Sequence, residues 1–188
     1  MKSRNSRKFN YTVSNLPVHR APGGPPHRGL IKIGWNIYPC ALGTNGISVV
    51  KREGDGKTPA GRFDLRKIYL RPEKIRPYGQ AAMKSRSRLI NSKMGWCDDP
   101  ANANYNREVK LPVGVRHEKL SREDDLYDVL IVIDWNLRPR IRGAGSAIFL
   151  HVAKPGFEPT EGCVAVSKEA MSRLLRRIDR NTAILIRP

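Results

Sequence analysis

The ten residues Leu126 to Trp135, LYDVLIVIDW, are the most apolar run in the chain and are rich in β-branched side chains. A run of that length, bounded by turn-forming residues, predicts a buried strand. Whatever the chain folds into must therefore cover a sheet. After an arginine-rich turn a second apolar run, Ala147 to Val152, predicts the next strand. Earlier strands are predicted over Leu30 to Gly34, Asn36 to Leu42, Ile47 to Arg52 and Gly61 to Leu70, the last with alternating Phe63, Leu65 and Ile68. Phe9 to Val13 alternates weakly, His19 to Arg28 reads as an irregular proline- and glycine-rich connection, and Glu53 to Gly56 reads as a turn. One helix is predicted: Ser167 caps it, and Ala170, Met171, Leu174, Leu175 and Ile178 recur at helical spacing. That leaves Arg173, Arg176, Arg177 and Arg180 facing outward. Ala183 to Ile186 predicts a closing strand. The expected fold is mostly β (α+β), with one main helix.

With 188 residues the chain can bury one sizeable core, so a single domain is expected. Within it, residues 1–29 form an N-terminal segment and residues 30–188 the body. The 35 Lys and Arg against 17 Asp and Glu give a formal charge of +18, a field that concentrates anionic partners without naming one. No nucleic-acid-binding motif accompanies the charge, so nucleic acid is not the expected partner, although a basic binding module stays open as a different class of reading. No run approaches the ~20 apolar residues of a membrane-spanning helix. The N-terminal residues lack the apolar stretch of a secretory signal. Arg71 to Glu123 shows little periodicity and is expected to form an excursion that covers or lines a cleft.

Three cysteines, Cys40, Cys97 and Cys163, leave at least one thiol unpaired even if Cys40 and Cys97 are bridged. A buried structural cysteine is the ordinary fate of such a residue. Cys163 stands in a different context: Gly162 precedes it, and Pro155 to Glu161 reads as a loop, which places the thiol at a loop-to-strand junction. His151 ends the preceding strand, where an imidazole can serve as general base to that thiol. The Gly162 and Cys163 amides can face a developing oxyanion, as acyl transfer requires. Cys97, Asp98, Asp99 and His117 lack paired metal-ligand spacing, and Gly23-Gly24 and Gly143 to Gly145 do not sit in a phosphate-binding signature. No metal or cofactor is expected.

The run IFLHVAKPGFEPTEGCVAVS resembles the catalytic signature of the L,D-transpeptidase (YkuD-type) family, in which a strand histidine, a variable loop and a Gly-Cys pair follow one another. GDGKTPAGRFDL, Gly54 to Leu65, resembles the family's threonine-proline-x-glycine-x-phenylalanine segment that begins a sheet strand, and MGWCDDP and LYDVLIVIDW resemble a Gram-negative subgroup of the same family. The resemblance implies a β-sandwich or barrel-like catalytic domain acting on peptidoglycan stem peptides, in the periplasm or cell envelope, and open to carbapenem-type inhibitors. It implies Cys163 as nucleophile, His151 as its base, the Val152 backbone carbonyl as the group that orients the imidazole, and the Gly162 amide in the oxyanion site. The reaction implied is acyl transfer through a thioester to form 3→3 cross-links; an L,D-carboxypeptidase or related envelope hydrolase with the same site is the alternative. Many members have histidine where Glu161 stands and an arginine shortly after the cysteine, where Val164 and Ala165 lie. Arg142, or another basic residue near the cleft, is the expected replacement for that arginine, and Thr160, Glu161, Trp96 and Tyr105 complete the expected substrate contacts.

Overall fold

The computed structural model describes residues 11–79, 82–84 and 86–188. Its main sheet has nine strands. In chain order they are β1 (Asn15–Arg20), β2 (Arg28–Ile33), β3 (Asn36–Ala41), β6 (Gly61–Leu70), β7 (Ser87–Leu89), β11 (Val129–Ile133), β12 (Phe149–Val152), β13 (Val164–Val166) and β14 (Ala183–Ile186). Two short strands, β4 (Ile47–Ser48) and β5 (Thr58–Pro59), pair with each other, and β8 (Met94–Cys97), β9 (Arg107–Lys110) and β10 (His117–Lys119) form a separate three-stranded sheet. The main sheet runs β11-β12-β13-β3-β2-β1-β14-β6-β7, and β11 pairs back onto β6. That last pairing closes the sheet into a barrel-like ring, which removes the open edges an eight-stranded ribbon would otherwise expose.

The ring explains why Leu126 to Trp135 is apolar without alternation. Successive side chains of β11 point to opposite faces. Val129, Ile131 and Ile133 enter the main core, whereas Leu130 and Val132 join a second cluster with Tyr69, Met94, Trp96, Tyr127 and Phe149. Both faces of β11 are buried, so neither tolerates a polar residue. The second cluster fills the space between the outer face of the ring and the β10-β8-β9 sheet. The aperiodic stretch Arg71 to Glu123 thus contributes β7 to the main sheet and a small folded layer, β8 to β10, that covers one side of the ring.

The helix α1 (Lys168–Arg177) packs Ala170, Met171, Leu174 and Leu175 into the main core. Ser167 caps it by accepting the Ala170 N–H, and Arg176 and Arg177 lie in the last turn, where cations complement the helix dipole. Two expectations are corrected. The first strand, Asn15–Arg20, starts beyond the weakly alternating Phe9 to Val13, of which Phe9 and Asn10 lie outside the described residues and Tyr11 to Val13 carry no strand, and it runs into the stretch from His19 expected to be irregular. β1 pairs parallel with β14 and antiparallel with β2, so residues of the N-terminal segment are built into the main sheet. Strand Ile47 to Arg52 is also shorter than expected, ending at Ser48, because the chain turns to bury Lys51.

Leu174 is fully buried, so Leu174→Ala should cost about 2–5 kcal/mol, against about 1 kcal/mol for Ser167→Ala at the cap. Urea denaturation of the two variants beside wild type checks both the order and the gap.

Candidate active site

β12 and β13 run parallel in the register Leu150↔Val164, His151↔Ala165, Val152↔Val166. Alternation then sends Leu150, Val164 and Val166 into the main core and leaves Phe149 and His151 on the outer face. Cys163 precedes β13 by one residue and packs against the Phe149 cluster on that same face. Its position depends on Gly162, which has φ +135° and would push a Cβ to 2.6 Å from the Lys57 carbonyl oxygen. Only glycine fits there. Thr160 fixes the turn: its hydroxyl donates to the Cys163 carbonyl at 2.7 Å and accepts the Gly162 N–H at 3.2 Å, while its backbone bridges Leu42 and Thr44.

His151 and Cys163 line one cavity of about 450 Å³. His151 Nδ1 lies 2.8 Å from the Val152 carbonyl oxygen, a group that only accepts, so Nδ1 carries the proton and Nε2 keeps its lone pair. The Tyr127 ring stands edge-on to the imidazole at 5.4 Å and under the Arg122 guanidinium at 5.1 Å. The thiol donates to the Ala147 carbonyl at 3.3 Å, and its sulfur accepts the Phe149 N–H at 3.3 Å. The Cys163 N–H has no hydrogen-bond acceptor among the described residues, and the Gly162 N–H is engaged only by Thr160. The Cys163 amide is thereby available at the junction, beside a Gly162 amide held by a single hydroxyl.

Burial pushes the His151 imidazole down to about 4 and the Cys163 thiol up to about 12. Both side chains are neutral between those limits. Burial thus favours the uncharged form of each group at neutral pH. Lys51 is buried near the same turn, where it binds Asp55 at 2.6 Å and the Arg52 carbonyl at 2.8 Å. Asp55 also accepts the Arg52 and Lys57 N–H groups; burial works to raise its pKa, but these hydrogen bonds bring it below the ordinary carboxylate value.

The L,D-transpeptidase catalytic domain family, YkuD, matches residues 31–186, nearly the whole ring. The chain belongs to that family. No curated protein is similar enough to stand as a relative. The solved structure of Bd1075 from Bdellovibrio bacteriovorus aligns over 92% of this chain at 18% identity, with a TM-score of 0.44; the chain spans 47% of that protein's length. YkuD domains are L,D-transpeptidases, enzymes of acyl transfer on peptidoglycan.

Against the family's signature, Thr160, Glu161, His151 and Cys163 of this YkuD domain all line the one cavity, Gly162 sits in its wall-forming turn, and the Val152 carbonyl meets the imidazole. Trp96, Tyr105 and Arg142 do not line it. Trp96 is buried against Phe149 and donates to Asn106; the Tyr105 hydroxyl donates to Glu53; Arg142 is exposed on the loop between β11 and β12. The basic groups that do reach the cavity are Lys51, Arg116, Arg122 and Lys154. Arg116 and Arg122 come from the covering layer and the segment after it, which carried no periodic signal. Glu118, which with His117 reads from sequence as a surface pair, and Tyr127, inside the predicted strand Leu126 to Trp135, line the cavity as well. Cys40 and Cys97 are free and buried, so no bridge joins them.

Acid stability follows from His151. Its folded pKa lies below its unfolded one, so between about pH 6.5 and pH 4 the unfolded chain binds a proton that the native state refuses. Stability supplied by the neutral imidazole is present above that window and lost as pH falls through it, by up to about 3 kcal/mol. His151→Gln should flatten this part of the acid limb, which urea midpoints measured from pH 7 to pH 4 would reveal.

Proposed function

We propose that the chain is a peptidoglycan L,D-transpeptidase that forms 3→3 cross-links through a Cys163 thioester. The observation that carries the reading is the imidazole of His151, fixed through Nδ1 on the Val152 carbonyl, in one cavity with the Cys163 thiol. Sγ attacks the carbonyl carbon of the L-to-D peptide bond that follows the diamino acid of a stem peptide. As the S–C bond forms, Nε2 takes the thiol proton, and the Cys163 and Gly162 N–H groups receive the oxyanion. The C–N bond then breaks, the imidazolium returns its proton to the departing D-alanine amine, and the acyl group stays on sulfur. An amine from a second stem loses a proton to Nε2, attacks the thioester and releases the thiol.

Charge around the cavity supports transfer to an amine. Glu53, Asp98, Glu118, Glu158 and Glu161 line it, five of the chain's 17 acidic residues, beside four basic ones. A cavity of mixed sign suits a substrate that presents both carboxylates and an ammonium. Glu161 and Glu158 are exposed at the rim, where they attract an incoming acceptor amine. The +18 charge of the whole chain favours retention on anionic wall polymer and supports a location in the cell envelope. No described helix is long and apolar enough to cross a membrane.

Intact-protein mass spectrometry with a carbapenem should give a stoichiometric adduct on wild type and none on Cys163→Ala. With purified muropeptides, dimers joined by 3→3 bonds are the expected product. Tripeptides without dimers would assign the thioester to water and make the enzyme an L,D-carboxypeptidase; no adduct and no turnover would remove the catalytic reading altogether.

A further inference from the structure

The thiol proton of Cys163 rests on the Ala147 carbonyl, so whatever fixes Ala147 fixes the sulfur. Ala147 has φ +53°, a left-handed conformation that a residue with a Cβ adopts at a cost of about 1 kcal/mol or more unless its surroundings hold it there. One side chain does so. Asn106 Oδ1 accepts the Ala147 N–H at 3.1 Å and the Trp96 indole N–H at 2.9 Å, and Asn106 Nδ2 donates to the carbonyls of Trp135 at 3.1 Å and Asn136 at 2.8 Å. All four hydrogen-bonding positions of the amide are used. Asn106 is itself 2% exposed and left-handed, with φ +54°, a conformation asparagine enters readily.

Three of those contacts span the loop between β11 and β12; the fourth, from Trp96, anchors Asn106 to β8. Trp135 and Asn136 open the loop, Ala147 closes it, and Asn106 comes from the covering layer to tie the two ends together. The preceding residue acts in parallel: the Tyr105 hydroxyl and the Ser146 hydroxyl both donate to Glu53 Oε2, the latter at 2.8 Å. Two consecutive residues of the covering layer thus fasten two consecutive residues beside the nucleophile. Only the Asn106 contact reaches the residue whose carbonyl receives the thiol.

We propose that Asn106 is a positioning residue for the nucleophile: by holding Ala147 left-handed it sets the carbonyl, and hence the orientation from which Cys163 turns its proton toward His151. The inference rests on the reading of Cys163 as the nucleophile. It also requires that the covering layer, besides excluding water, determines how the thiol is presented.

Two variants of the full chain test it. Asn106→Gly keeps the left-handed backbone open and deletes the side chain, while Asn106→Asp keeps the oxygen that accepts from Ala147 and Trp96. Three quantities are measured: carbapenem acylation by intact mass, iodoacetamide alkylation of Cys163 by peptide mapping from pH 6 to pH 10, and the melting midpoint. In Asn106→Gly, acylation should fall by roughly tenfold or more, because a misplaced reacting atom loses its near-attack geometry. Alkylation should rise severalfold over the same protein, because the sulfur is released from its burial. Asn106→Asp should keep acylation within about threefold of wild type. A folded Asn106→Gly protein with both rates within twofold of wild type overturns the proposal. So does a parallel fall of both rates that tracks the melting midpoint. If Asn106→Gly does not fold, Asn106→Asp decides: tenfold loss of acylation in a folded protein that retains the Ala147 contact contradicts the assignment. If wild type forms no acyl adduct, the proposed function fails, and the alkylation profiles alone still tell whether Asn106 governs the sulfur.

Discussion

Everything at the candidate site depends on one short parallel ladder, β12 beside β13. Parallel strands need a crossover connection, and here it is only the segment from Ala153 to Cys163, which leaves one strand and returns to the start of its neighbour. Such a return brings the end of β12 and the residue before β13 onto the same face. Burial of Leu150, Val152, Val164 and Val166 holds the ladder in place, because a slip of one residue would turn His151 into the main core. The apolar residues of these strands therefore set the geometry of the candidate site as firmly as the polar ones they display.

The consequence is an electrostatic one. A histidine and a cysteine brought together by buried strands are poorly hydrated, and poor hydration favours the uncharged form of each. The site starts from two neutral groups, with the imidazole oriented by a backbone carbonyl and the thiol resting on another. In the proposed reaction, proton transfer is thereby tied to bond formation, and the amides at Cys163 and Gly162 would supply the positive potential that the transition state needs. Charged residues come from elsewhere: the rim carries acids and bases from the covering layer and the loop before β13, arranged around a core that carries none.

How legible this was differs from residue to residue. β11 could be read directly, because burial on both faces leaves an apolar run with no polar interruption. The helix could be read from its cap and spacing, and His151 with Cys163 from a base and a nucleophile flanking one loop. The strand boundaries of Ile47 to Arg52 could not, because Lys51 is buried by its ion pair with Asp55 and a pattern of hydrophobicity does not record such a pair. Trp96 and Tyr105 read as cleft residues because aromatic side chains in an aperiodic stretch have no assigned face. In the fold they hold the covering layer to the ring through Phe149 and Glu53. The arginine expected at 142 is supplied near the cavity by Arg116 and Arg122, whose approach depends on how β8 and β10 pair, a contact distant in sequence. Asn106 was invisible for a similar reason: its four partners are spread from Trp96 to Ala147.

The account turns on the state of one ring, and nitrogen-15 NMR of labelled imidazole observes it directly. It predicts that His151 at neutral pH is the tautomer with the proton on Nδ1, that Nε2 is unprotonated, and that both remain so as pH falls to 5. A doubly protonated His151 at pH 7 that becomes neutral in Cys163→Ala would reveal a stored thiolate–imidazolium pair and contradict the neutral site. A proton on Nε2 would contradict the orientation by Val152.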